Sequence, residues 1–153
     1  MAKIKVLMVC LGNICRSPLA EGILKTKVDP KNISVESAGT GDWHIGQLPD
    51  KRSIKVAKEN DIDITDQRGR QFERSDFERF DLIYVMDNSN YEDVIAMARN
   101  DEDKKKVHLI LNEIFSDENL DVPDPYTGGE SGFERVFDML DQATDKISEK
   151  LKQ

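Results

Sequence analysis

Near the start of this 153-residue chain, Cys10-Leu11-Gly12-Asn13-Ile14-Cys15-Arg16-Ser17 places both cysteines, an arginine and a serine in eight consecutive positions. The apolar run Ile4 to Val9 leads into them, and Ser17-Pro18 opens a helix-like segment. A loop between a strand and a helix N-terminus presents backbone N–H groups that have no partner in the helix. Together with the positive end of the helix dipole, these donors make a site for an anion. The same field favours thiolate, the nucleophilic form of cysteine, over thiol. Arg16 adds a planar guanidinium able to hold two phosphate oxygens at once. Ser17 can donate a hydrogen bond to the Cys10 sulfur, and Gly12 lets the backbone turn its amides inward. Cys10 at the base of a ring of donors running from Leu11 through Gly12, Asn13, Ile14 and Cys15 to Arg16 and Ser17 suits phosphoryl transfer to sulfur.

Blander readings exist for each residue. A cysteine at a strand end is often only a small buried hydrophobe. A zinc site wants four ligands, and His44 and His108 are too few and too scattered to complete one with Cys10 and Cys15. The nucleotide-binding pattern G-x-x-x-x-G-K-[ST] is absent. Placement favours function over packing, because ligands of parallel α/β sheets bind beyond the carboxyl ends of strands, where strand order reverses. A further acid, Asp124, lies in the turn-rich stretch "DVPDPYTGGE". Turn chemistry alone accounts for an aspartate there, but a departing phenolate is helped by a proton, and Pro125 keeps Asp124 extended.

The elements that must position these residues alternate in type. Strand patterns cover Ile4 to Val9, Ile33 to Ser37, Asp81 to Met86 and Val107 to Leu111. Helical patterns cover Ser17 to about Lys27, Asp50 to Asn60 and Asn90 to Arg99, with Ser17 as an N-cap and Pro18 in the first helical position. Apolar residues at 133, 136, 137, 140, 143, 147 and 151 mark a closing helix from Phe133 to Leu151. The expectation is a single α/β domain over residues 1–153. Its centre is a four-stranded parallel sheet with helices on both faces and a phosphate-binding loop after the first strand.

Composition narrows the partners. A net charge of −8 argues against nucleic acid and anionic membrane surfaces, which both need a basic face. An anion site must therefore be local. No run of 18 apolar residues exists, and the N-terminus enters a strand without a signal-peptide core, so a cytoplasmic protein is expected; a monomer is the separate expectation for its assembly. Two cysteines make no secreted disulfide framework.

The motifs "VCLGNICRSP", "SAGTGDWHIG", "FDLIYVMDNSN" and "VPDPY" together resemble the low-molecular-weight protein tyrosine phosphatases, over essentially the whole chain. By that resemblance the activity is hydrolysis of phosphotyrosine in proteins and peptides, without metal or other cofactor. Cys10 is then the nucleophile, Arg16 the transition-state clamp and Asp124 the general acid. Trp43 and Tyr126 correspond to the pocket walls, and inorganic phosphate or sulfate to ligands of the loop. Asn13, Ser17 and Ser37 match positions that hydrogen-bond to one another, and Asp87 matches a structural aspartate. The resemblance also implies a reversible Cys10–Cys15 disulfide under oxidation. Two positions depart from the pattern: Gln67 stands where relatives often carry histidine, and Thr127 where many carry a second tyrosine. Arsenate reductases share the scaffold but use further cysteines, and protein arginine phosphatases carry threonine where Ile14 stands. An inactive phosphotyrosine-binding module would need neither Cys10 nor Asp124.

Overall fold

A computed structural model describes residues 3–125 and 129–152. Chain order gives β1 (Ile4–Cys10), α1 (Arg16–Lys25), β2 (Ile33–Gly39), α2 (Lys51–Glu59) and α3 (Asp76–Arg79). Then come β3 (Leu82–Val85), α4 (Asn88–Ala96), α5 (Asp101–Lys105), β4 (Val107–Leu109), a 3-10 turn (Ile110–Glu113) and α6 (Gly129–Leu151). All three pairings are parallel, and the sheet order is β2-β1-β3-β4. β1 pairs with β2 from Ile4↔Ile33 to Cys10↔Gly39, and with β3 from Val6↔Leu82 to Val9↔Val85. The chain thus leaves β1 to one side and returns to its other side. Strand order reverses at the carboxyl end of β1, and Cys10 lies there.

Successive side chains of β1 point to opposite faces. Val6, Met8 and Cys10 join the cluster that α1, α2 and α6 cover, with Leu19, Ile23, Ala57, Phe133 and Leu140 among its members. Leu7 and Val9 join the other face with Phe77 of α3, Val94 of α4 and Ile83 of β3. Burial on both faces is why the β1 sequence is apolar without alternation. The α6 stripe read from the sequence is buried from Phe133 to Ile147. No helix among the described residues is long and apolar enough to cross a membrane.

Several boundaries differ from the sequence reading, each for a local reason. Ser17 is not the N-cap: α1 begins at Arg16, Cys15 holds the cap position without a side-chain cap bond, and the Ser17 hydroxyl turns to Cys10 instead. Pro18 is therefore the third helical residue, still in the turn whose N–H groups need no helical acceptor. β4 stops at Leu109, and the apolar Ile110 and Leu111 belong to the 3-10 turn, since a short apolar run does not distinguish the two. β1 and β2 extend to Cys10 and Gly39, and α6 starts at Gly129, before its apolar stripe. The four residues of α3 and five of α5 are too short to show a period.

Gly22 sits in the middle of α1, where alanine would ordinarily be the better helix former. A Cβ at Gly22 would lie 2.5 Å from Cγ2 of Ile64 and 3.3 Å from Cγ2 of Ile62. The Ile64 methyl branches directly from a buried β-carbon, so it cannot swing clear. Overpacking of this kind costs about 1–3 kcal/mol and outweighs the roughly 1 kcal/mol helix gain. Gly22→Ala is expected to lower the urea midpoint of unfolding; a raised midpoint would show that Ile64 yields.

Candidate active site

The loop after β1 is curled so that its carbonyls point outward. The carbonyl of Cys10 accepts from Thr40 N at 2.9 Å, that of Leu11 from Gly41 N at 2.9 Å and that of Ile14 from Asp50 N at 2.7 Å. The Cys15 carbonyl accepts from the Ser53 hydroxyl at 3.3 Å. Among the described residues, no acceptor takes the amide hydrogens of Gly12, Asn13, Ile14 or Cys15. Donors left open around a curl are what an anion requires.

Asn13 makes the curl possible. Its φ of 57° lies in the left-handed region, which asparagine tolerates better than most side chains. Its Nδ2 donates to Ser17 Oγ at 2.8 Å and to Ser37 Oγ at 3.0 Å, while its Oδ1 accepts from Arg70 N at 3.0 Å. These bonds set the direction of the others. Ser17 accepts from Asn13, so its own proton is available to Cys10 Sγ, 3.0 Å away. Ser37 likewise accepts from Asn13 and donates to Glu21 Oε1 at 2.7 Å. The Ser17 amide adds a longer contact to the sulfur, at 3.4 Å. Two donors aimed at Cys10 Sγ stabilise negative charge on it.

The two thiols are not equivalent. Both are free and buried. Burial, followed by the charge of Asp50, pushes the Cys15 thiol far above its ordinary value, so Cys15 stays protonated at neutral pH. Among the described residues, donors converge on the sulfur of Cys10 and none on that of Cys15.

Arg16 is 2% exposed beside this sulfur. Its Nη1 donates to Asp87 Oδ2 at 2.7 Å and to the Val122 carbonyl at 2.8 Å. Its Nη2 lies 3.9 Å from Asp124 Oδ2. Burial opposes the charge, but Cys10, Asp87 and Asp124 surround it and hold the guanidinium protonated above its ordinary range. Asp87 is shared: its other oxygen caps α4 by accepting Asn90 N at 2.7 Å. That fits the structural role expected of it. The exposed Asp124 side chain stands across the mouth of a cavity of about 290 Å³ that has Cys10 and Arg16 at its base.

Leu11, Ile14, Trp43 and His44 wall this cavity. Trp43 is 63% exposed, and a Cβ on Gly41 would come within 1.9 Å of its ring, so only glycine lets the indole lie against that backbone. The structure thus gathers Cys10, Leu11, Gly12, Asn13, Ile14, Cys15, Arg16, Ser17, Trp43 and Asp124 at one place. Tyr126 and Thr127 lie outside the described residues. His44 was missed as a wall residue, although its position next to Trp43 was a usable signal. Its Nδ1 is 2.9 Å from Gln47 Oε1. Glu21 and Arg70 were missed too, being separated from the loop in sequence. No cluster of three or more His, Cys, Asp or Glu side chains among the described residues is arranged to hold a metal.

The sequence model of the low molecular weight phosphotyrosine protein phosphatase family matches residues 5–153. The chain belongs to this family. A low molecular weight phosphotyrosine protein phosphatase of Schizosaccharomyces pombe is 40% identical over 135 residues, 85% of each chain. A protein tyrosine phosphatase of Entamoeba histolytica, solved with Hepes in its active site, matches with a TM-score of 0.91 at 38% identity, over 98% of this chain and 97% of its own. Wzb of Vibrio vulnificus, solved with benzylphosphonate, gives a TM-score of 0.86 at 32% identity, over 97% and 99%. In this member of the low molecular weight phosphatases, Gln67 stays out of the Asn13–Ser17–Ser37 set. Its Nε2 donates instead to the Pro18 carbonyl at 3.0 Å, bracing the first turn of α1.

Glu21 closes the serine chain from behind, accepting from Ser37 and from Lys25. Burial raises its carboxyl above the ordinary value despite both bonds. The sign of the linkage follows. A raised folded pKa means the folded state keeps the proton longer, so this contribution to stability is full below the unfolded pKa and is lost as pH rises through the folded one. Glu21→Gln removes that dependence. The stability of the parent minus that of Glu21→Gln, from urea melts, should therefore fall as pH rises upward from about 4.3. A flat difference would show that Lys25 and Ser37 offset the burial.

Proposed function

We propose that this phosphatase hydrolyses phosphotyrosine in proteins and peptides through a phosphocysteine intermediate. The observation that carries the reading is Cys10 Sγ at the base of inward amides, with Ser17 donating to it and the Arg16 guanidinium 3.9 Å from the Asp124 carboxylate. In the first step Cys10 attacks phosphorus in line as Asp124 protonates the tyrosine oxygen, and the phenol leaves. Water then attacks the phosphocysteine, Asp124 takes its proton, and phosphate departs with the thiolate restored. Arg16 and the loop amides carry the charge of the transferring group, so the chemistry needs no metal.

Trp43 serves as one wall for the phenyl ring, and the family resemblance assigns a second aromatic wall to Tyr126, outside the described residues. Ile14, an apolar β-branched side chain at the cavity, suits an aromatic ring better than the guanidinium of phosphoarginine. An arsenate reductase relay would lack a third cysteine, since the chain has two. A binding module would have no use for a nucleophile and an acid held across one guanidinium. Every residue invoked comes from one chain, so a monomer suffices. A working thiolate suits a reducing compartment such as the cytoplasm. Inorganic phosphate or sulfate is expected to occupy the loop as a competitive ligand.

A leaving-group series tests the assignment. Cys10→Ser should abolish turnover while the loop still binds phosphate. Asp124→Asn should reduce kcat by about 10²–10⁴ for phenyl phosphate and much less for nitrophenyl phosphate, whose phenolate needs less proton assistance. Equal losses across the series would remove Asp124 from the acid role. Trp43→Ala should weaken the preference for aryl over alkyl phosphates, and an unchanged preference would place the ring elsewhere.

A further inference from the structure

Asp76, at the start of α3, has no solvent exposure and lines no part of the cavity. Its two oxygens accept Arg70 Nη1 and Nη2, each at 3.1 Å, in a bidentate pair. Arg79 Nη2 and the Glu73 amide, the latter at 2.8 Å, also donate to it. Burial alone would favour the neutral acid, but the bonds from Arg70, Glu73 and Arg79 outweigh it and hold the carboxyl below its ordinary range.

The backbone that carries Arg70 leads to the active site on both sides. The Arg70 amide donates to Asn13 Oδ1, the bond that completes the anchoring of the phosphate loop. The Arg70 carbonyl accepts from Gly39 N at 2.9 Å, and Phe72 N donates to the Gly39 carbonyl at 2.7 Å, joining this segment to the end of β2. One residue earlier, Gly69 N donates to the Gln47 carbonyl and the Gly69 carbonyl accepts from Gly46 N, both at 2.8 Å. A Cβ at Gly69 would lie 2.2 Å from the His44 carbonyl oxygen, so the two backbones are in direct contact. The loop of residues 41–48 cannot be held by burial, because Trp43, Ile45 and Leu48 are 63%, 58% and 49% exposed. Its place depends on backbone hydrogen bonds: that of Gly41 N to the Leu11 carbonyl at one end and the two to Gly69 at the other.

We propose that residues 69–72 form a strut, pinned by the Arg70–Asp76 pair, that holds the Trp43 wall in register with the phosphate loop. Arg70 and Asp76 are then positioning residues for the aryl group. The inference builds on the reading of the cavity as an aryl phosphate site. Arg79 serves as a control, since it reaches Asp76 from within α3 and is half-exposed.

The chain has a single tryptophan, so its fluorescence reports on this wall directly. Arg70→Lys keeps the charge but loses the fork, and Gly69→Ala separates the loop from the strut without touching Asp76. In both, the anisotropy of Trp43 should fall and KM for nitrophenyl phosphate should rise about three- to tenfold, with kcat within about twofold of the parent. Arg79→Ala should keep the parent's KM and anisotropy, whatever it does to the melting temperature. Parental KM and anisotropy in both Arg70→Lys and Gly69→Ala would overturn the strut. So would an Arg79→Ala variant shifted as far as Arg70→Lys, since that would mark general loosening. A parent that fails to hydrolyse nitrophenyl phosphate defeats the functional reading alone, and the anisotropies still decide the strut.

Discussion

To curl a loop around one anion, its amides must turn inward and its carbonyls outward, and each outward carbonyl must find a donor elsewhere. Most of the architecture near the site answers that demand. Thr40 and Gly41, just past β2, serve the carbonyls of Cys10 and Leu11, while Asp50 and Ser53, at the start of α2, serve those of Ile14 and Cys15. An unpaired buried carbonyl costs about 1–3 kcal/mol, enough to uncurl the loop if two or three lost their donors. The parallel pairing of β1 with β2 is thus more than core. Its register, ending at Cys10↔Gly39, delivers two of the four donors to the right height.

The second demand is a polarity of hydrogen bonds. A carboxamide is a good hub because it offers donors on one side and an acceptor on the other. Asn13 gives both donors to serines and receives one amide, which leaves each serine proton to go onward, one to the Cys10 sulfur and one to Glu21. An aspartate at position 13 would have acceptors only and would pull the Ser17 proton away from sulfur. This local polarity matters more here than long-range steering. With a net charge of −8 the chain as a whole repels a phosphate dianion, so attraction has to come from amides and one buried guanidinium within a few ångström.

The loop was legible in the sequence because its residues are contiguous and its place between an apolar run and a helix is fixed by period alone. The sheet was legible for the same reason, since strands buried on both faces read as unbroken apolar runs. Ser17 misled by being a good cap in the wrong place: cap propensity is local, and the hydroxyl here is claimed by Asn13 and Cys10. Glu21, Arg70 and Asp76 were invisible because a charged side chain paired inside the fold is not distinguishable in sequence from a solvated one without its partners. Gln67, read as a departure where relatives often carry histidine, pairs its amide with the Pro18 carbonyl. His44 was weighed only as a metal ligand, although its place next to Trp43 marked it as a second wall residue.

Arg16 couples what would otherwise be independent parts. Its Nη1 is committed to Asp87 and to the Val122 carbonyl, so the plane of the guanidinium is set before any phosphate arrives. Val122 in turn donates to the Met86 carbonyl at 2.8 Å, which seats the segment bearing Asp124 on the end of β3. Arg16 and Asp124 are therefore placed by the same strand end, since Val122, which accepts from Arg16, stands two residues before Asp124 on one anchored segment. Bonding through the side chain alone would leave Asp124 free to follow its own exposed loop. Bonding the backbone at Val122 fixes where that loop departs, and the guanidinium that holds it lies beside the Asp124 carboxylate. The plane of the Arg16 guanidinium and the position of Asp124 are consequently one structural variable, and a change at Asp87 or Met86 would reach both.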